Sequence, residues 1–180
     1  MTRIPRGVIL GLLVGALSAT GLRAQLRRRE QGRPDRPPRP GVSLVGGPTS
    51  YDLSGTGTAG IGQLRIDGPV SRILVIELGL GVFSYRAQFS DRVTHLVTDV
   101  SLQAQLPRGP VRPYLGAGGG FAEYLSGRGS TLGTLHAAAG VRGDVGGSWG
   151  LLGEIRARSV DPFTGSMLDF VVGIRRRLGR

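Results

Sequence analysis

His95, Asp99 and Ser101 stand at alternate positions in "THLVTDVSLQAQL", residues 94–106, and they carry the three side-chain types of a nucleophilic catalytic set. The alternation that puts them on one face also keeps them apart. At about 3.3 Å per residue, His95 and Asp99 lie roughly 13 Å from each other along a strand, whereas a directly hydrogen-bonded histidine needs about 3 Å. His95, and His136 further on, therefore read as structural polar side chains. "GAGGG" at 116–120 invites comparison with phosphate-binding loops, but the G-x-G-x-x-G spacing would need glycine where Phe121 stands, and the run lies within a strand. With no cysteine and two histidines, the chain has no thiolate chemistry, no disulfide and no ready zinc set, so neither metal nor cofactor is expected.

The informative constellation is ionic. Glu77, Asp99, Asp144, Glu154 and Asp169 fall on the same strand faces as Arg65, Arg142, Arg156, Arg158, Arg175 and Arg177, opposite faces of aliphatic residues. Charges confined to an interior need partners, because stranding one costs several kcal/mol. The sharpest expectation is that Glu77 and Asp99, each eight residues from its short turn, sit at similar depth. Arg156 or Arg158 then reaches across to them, with Asp169 as a competing partner.

The elements that would hold these residues are strands. Thr94, Leu96, Thr98, Val100, Leu102, Ala104 and Leu106 share the face opposite His95, and this period of two persists for thirteen residues. In "RILVIELGLGVF", Leu74, Ile76, Leu78, Leu80 and Val82 oppose Ile73, Val75, Glu77, Gly79 and Gly81; near the end, Leu168, Phe170, Val172, Ile174 and Leu178 oppose Asp169, Val171, Gly173, Arg175 and Arg177. Eight strands are predicted, near 42–53, 57–67, 70–83, 93–106, 111–124, 131–145, 148–159 and 166–178. Most match the roughly 9 to 11 residues that cross a membrane when tilted, and exceed the five or six usual in soluble sheets. The polar faces are rich in Gly, Ser, Gln and Ala, as a narrow, crowded lumen requires, so the aliphatic faces are expected to meet lipid.

Connections are expected to alternate. "DGP" at 67–69, "PRGP" at 107–110 and "GGS" at 146–148 read as tight turns, and "YRAQFSDR", "SGRGS" and "VDPFTG" as longer loops. Both termini then lie at the turn end, the plan of an outer-membrane barrel. Pro48 and "SGTGTAGIG" blur the alternation of the first hairpin, which leaves its register open by a bulge. Tyr51, Phe83, Tyr85, Phe89, Phe121, Tyr124 and Phe163 gather toward the loop end and Tyr114 and Trp149 toward the turn end, suggesting two girdles of interfacial rings.

Residues 1–24 read as a cleaved secretory signal: Arg3 and Arg6, then "GVILGLLVGALSA", too short to span a membrane. Residues 25–40 form an Arg/Pro-rich disordered linker, and 41–180 the barrel. The formal net charge is +11, but nine arginines lie within the first 40 residues and no nucleic-acid reader motif accompanies them, so nucleic-acid binding is not expected.

From the signal segment, the strand plan, "RPYLGAGGGFAEY" at 112–124 and "SWGLLGEIRARS" at 148–159, the chain resembles the small outer-membrane β-barrels of the eight-stranded OmpA/OmpX type. The resemblance implies an all-β, eight-stranded antiparallel transmembrane barrel with up-and-down topology, located in the cell outer membrane of a Gram-negative envelope. It implies outer-membrane lipids, lipopolysaccharide and the barrel assembly machinery as partners, and Leu178 stands near the end where such barrels commonly carry an aromatic residue read by that machinery. Barrels of this type close their interiors with ionic networks. Lipid A deacylases resemble the fold too, but place His and Ser two residues apart, whereas His95 is followed at that distance by Val97 and His136 by Ala138. The expectation is a monomeric envelope barrel with a structural or interaction role, no catalysis, and a closed lumen or a small gated pore. The alternatives are an enzyme acting on outer-membrane lipids and a soluble periplasmic barrel holding an apolar ligand.

Overall fold

The computed structural model describes residues 39–51, 54–87, 92–106, 109–125, 131–161 and 165–179, with backbone alone at 54–58 and 87. The expected signal segment, nearly all of the linker, Phe89 and Phe163 lie outside the described residues. All regular structure among the described residues is β: β1 (Gly41–Tyr51), β2 (Ser54–Pro69), β3 (Leu74–Ala87), β4 (Arg92–Gln105), β5 (Val111–Tyr124), β6 (Thr131–Gly146), β7 (Trp149–Val160) and β8 (Gly165–Arg177). Each pairs antiparallel with its sequence neighbour, and β8 returns to β1, closing the barrel so that no strand edge is left unpaired.

Closure fixes the geometry. Successive partners from Gly41 run through Asp67, Glu77, Ser101, Gly118, His136, Arg158 and Met167, and arrive back on β1 at Tyr51 instead of Gly41. Eight strands with this ten-residue stagger tilt about 40° from the axis and give a Cα radius of about 8 Å. Such a cylinder has room for side chains and little else. The alternation read in the sequence is kept. Val93, His95, Val97, Asp99, Ser101, Gln103 and Gln105 are buried along β4, while Val100 and Leu102 are about half exposed on the outer wall.

Three details differ from the sequence reading. β2 runs through Gly68 and Pro69, which pair with Ile76 and Val75, and the turn falls at 70–73. Proline at the last position of a strand sacrifices no needed ladder bond, and Ser71 makes the turn instead, its Oγ accepting from the backbone N–H of Leu74 at 3.0 Å. Second, β3 and β4 extend to Ala87 and Arg92, so half of "YRAQFSDR" is strand and loop length does not distinguish the two ends. Third, β1 and β2 pair in one unbroken register, and the irregularity lies between β2 and β3, at Ser54–Ala59. The "GGS" turn is tight, with Gly147 at φ 54°, a conformation that suits glycine.

Candidate functional site: the barrel lumen

The lumen is a stack of layers. At the turn end, Arg175 on β8 donates to both oxygens of Asp67 on β2, at 2.9 and 2.5 Å, and also to the Arg39 carbonyl. These two strands are sequence-distant and become neighbours through β1. Above them Arg142 reaches Glu77 at 3.1 Å and the amide oxygens of Gln103 and Gln105 at 2.6 and 3.2 Å, with its guanidinium over the Tyr114 ring. Tyr114 in turn donates to Glu154 Oε2 at 2.7 Å.

The central layer is organised by Arg156, whose residue is 1 % exposed. Its Nε donates to Glu154 at 2.9 Å, Nη2 to Glu77 at 3.0 Å and Nη1 to Asp99 at 3.4 Å. Arg65 supports the same acids, 3.0 Å from Glu154 and 3.5 Å from Glu77. Arg158 grips Asp99 in a forked pair at 2.6 and 3.0 Å and lies 3.5 Å from Asp169, which also accepts from Thr49 at 2.9 Å. Gln63 completes Asp99 at 2.7 Å. Among the described residues the buried charges are Arg65, Arg142, Arg156, Arg158 and Arg175 against Asp67, Glu77, Asp99, Glu154 and Asp169, a formally neutral set. Neutrality and multiple hydrogen bonds are what allow so many ions out of water.

The structure brings Glu77, Asp99, Arg156, Arg158 and Asp169 together. Glu77 pairs with Ser101, so the two acids differ in level by one inward rung and Arg156 spans both. Asp144 and Arg177 sit elsewhere: Asp144 is exposed at the turn-end rim, paired with Arg112 and with Arg177 at 2.7 Å. Its alternation was right, but it lies on the last rung before the turn, where water reaches. Asp67, Gln63 and Thr49 were missed by the sequence reading, although each has inward parity on β1 or β2.

The aromatics require the larger correction. Phe121 and Trp149 face outward at the ends of the wall, 60 % and 50 % exposed. Tyr51, Phe83, Tyr85 and Tyr124 face inward with His95 in a ring cluster that fills the loop end of the lumen; Tyr51 and Tyr85 meet edge to face at 4.8 Å, and Tyr85 stacks on His95 at 6.0 Å. Tyr114 is buried in the ionic stack. Height had suggested a girdle, but parity decides the side: Tyr114 shares its face with Gly116, Gly118 and Gly120. At Gly140, the cross-strand partner of Tyr114, a Cβ would lie 2.6 Å from the tyrosine ring, so glycine gives that ring its place.

A second nucleophilic set also emerges. Ser101 Oγ lies 2.7 Å from His136 Nε2, two strands away, and His136 Nδ1 is 3.7 Å from Asp99. Gly118, between them in register, lets the two side chains meet. The acid–histidine distance exceeds a hydrogen bond, Asp99 is already claimed by Arg158 and Gln63, and the serine is buried. Ser101 and His136 are both buried within the lumen. Among the described residues no group of His, Cys, Asp and Glu is arranged to hold a metal ion.

The outer wall is the inverse of the lumen. Leu44, Leu64, Leu78, Leu80, Val100, Leu115, Leu135, Leu151, Ile155, Phe170, Val172 and Ile174 are exposed, with representatives on every strand. Apolar outside and ionic inside, wound on eight strands, defines a small β-barrel of the transmembrane type. No family model and no curated protein matches the chain. Among solved structures it is similar to Neisserial surface protein A, at 18 % identity and TM-score 0.63 over 77 % of this chain and 97 % of that one. The N-terminal β-barrel domain of Pseudomonas aeruginosa OprF gives 14 % and 0.56 over 79 % and 98 %, and Ail, the attachment invasion locus protein of Yersinia pestis, 13 % and 0.56 over 79 % and 100 %. At these identities the likeness is one of fold: each is a small outer-membrane barrel, and this chain shares their architecture.

Proposed function

We propose that the chain is a monomeric outer-membrane β-barrel with a structural or interaction role in the cell envelope, its lumen closed by ionic pairs and its activity non-catalytic. Residues 1–24 act as the export signal, and the barrel assembly machinery inserts the remainder with the termini at the periplasmic end. The observation that carries the location is the continuous aliphatic outer wall, present on every strand, around an interior that already satisfies its own charges. In water that wall would be a very large exposed apolar patch; in a bilayer it is the ordinary surface. Closure rests on the Arg142, Arg156 and Arg158 layers, which cross the lumen from β6 and β7 to β3 and β4.

The test is separation of membranes from cells making the full chain, with gel mobility compared before and after boiling. Heat-modifiable protein in the outer-membrane fraction is expected, and soluble periplasmic protein would overturn the location. Planar bilayers holding the purified barrel should show no steady conductance; a regular open channel would replace the closed lumen with a pore. A serine-directed phosphonylating reagent should leave Ser101 unmodified in the folded barrel, and labelling there would reinstate the lipid-modifying enzyme.

A further inference from the structure

Among the described residues, three strand arginines face outward: Arg86, Arg92 and Arg176. Arg176 lies over the Trp149 ring, 5.8 Å from its centroid, at the turn end. Arg86 and Arg92 are direct cross-strand partners on β3 and β4 at the loop end, both exposed, and neither is in an ion pair with a described residue. Like charges placed opposite each other destabilise a sheet, and the inward strand arginines among the described residues are all paired with carboxylates. One outward rung below, Ser84 and Thr94 are partners as well, their hydroxyls 3.3 Å apart. Two guanidinium groups above two hydroxyls make an outward patch of donors that holds no acid among the described residues. The outward acid of β5, Glu123, is level with Leu96, four residues along β4 from Arg92, beyond direct contact.

The height of the patch identifies its partner. At a tilt of about 40° each residue climbs about 2.5 Å, so Arg86 stands about 25 to 30 Å above Ile76 and Leu74, and the apolar band of such barrels is about 25 Å tall. The pair therefore lies where hydrocarbon gives way to headgroups. We propose that Arg86 and Arg92, steadied by Ser84 and Thr94, form a seat for a phosphate on a glycolipid headgroup of the outer leaflet. This rests on the outer-membrane reading and its orientation, because it needs the loop end to face the glycolipid leaflet. Guanidinium groups match phosphate oxygens in paired hydrogen bonds, and the anion relieves the repulsion between the two arginines.

The test uses the full chain folded in micelles, titrated with diphosphorylated lipid A and read by native mass spectrometry as the one-to-one adduct. R86Q/R92Q should weaken the adduct at least about tenfold, the loss of two charge-assisted contacts, while R72Q, in a turn at the opposite end, should leave it unchanged. Dephosphorylated lipid A should bind the unaltered protein as weakly as the phosphorylated lipid binds R86Q/R92Q, an arm that stands even if the double variant fails to fold. Equal adducts with phosphorylated and phosphate-free glycolipid would overturn the seat, as would full retention in folded R86Q/R92Q. Displacement of the lipid by an equal concentration of inorganic phosphate would overturn the lipid as its occupant. A chain that never reaches the outer membrane sinks the location itself, an outcome read by fractionation without added lipid.

Discussion

Replacing Arg156 by glutamine removes the group on which the central layer of the lumen converges. The substitution deletes contacts to Glu154, Glu77 and Asp99, and each acid keeps another cation: Arg65 at 3.0 Å from Glu154, Arg142 at 3.1 Å from Glu77, and Arg158 at 2.6 Å from Asp99. Breaking a buried pair typically costs 3 to 5 kcal/mol through the charge left behind, and the surviving arginines should hold Arg156→Gln near the lower end, about 3 kcal/mol. Glu77→Gln removes one carboxylate shared by Arg156, Arg142 and Arg65. Because the two residues are in direct contact, the double variant should be less destabilised than the sum of the singles, by about 1 to 3 kcal/mol. The assay is equilibrium urea unfolding of the barrel in lipid vesicles, followed by Trp149 fluorescence, with reversibility checked from both directions. Additivity within about 0.5 kcal/mol would refute the network, as would a loss below that size for Arg156→Gln.

Leu78, 52 % exposed on the outer wall, should tolerate methionine, while Leu78→Arg should cost about 2 to 4 kcal/mol in the same unfolding assay; equal stability would mean the wall does not face hydrocarbon. At Gly118 an added Cβ would sit 2.0 Å from the Val100 carbonyl oxygen, whereas at Gly153 it would meet nothing within 4 Å. Gly118→Ala should therefore lose about 1 to 3 kcal/mol by overpacking and Gly153→Ala almost none, and the reverse order would contradict the register of β4 to β6. Trp149, the one tryptophan of the chain, faces outward near the turn end, so lipids brominated near the headgroup should quench its emission more than iodide does. Preferential quenching by iodide would place that end of the wall in water.

The sequence by itself determined the faces. Side-chain direction along a strand alternates locally, so "THLVTDVSLQAQL" already separated Asp99 and Gln103 from Val100 and Leu102 without any neighbour being known, and the acids and arginines of β3, β7 and β8 followed by the same count. Strand number and approximate span were legible for that reason, as was the inward set of charges. The aromatics were open to the same counting; Tyr51, Phe83 and Tyr114 were misplaced because their height was read before their parity. What the tertiary structure decided was who meets whom. The ten-residue stagger on closure sets relative depth around the barrel, and no single strand carries that information. It brings Arg175 to Asp67 through β1, lets Arg156 span Glu77 and Asp99, and delivers His136 to Ser101 across Gly118. The pairing of adjacent strands likewise sets Arg86 against Arg92 on the outer wall, through how β3 and β4 align and not through either strand alone.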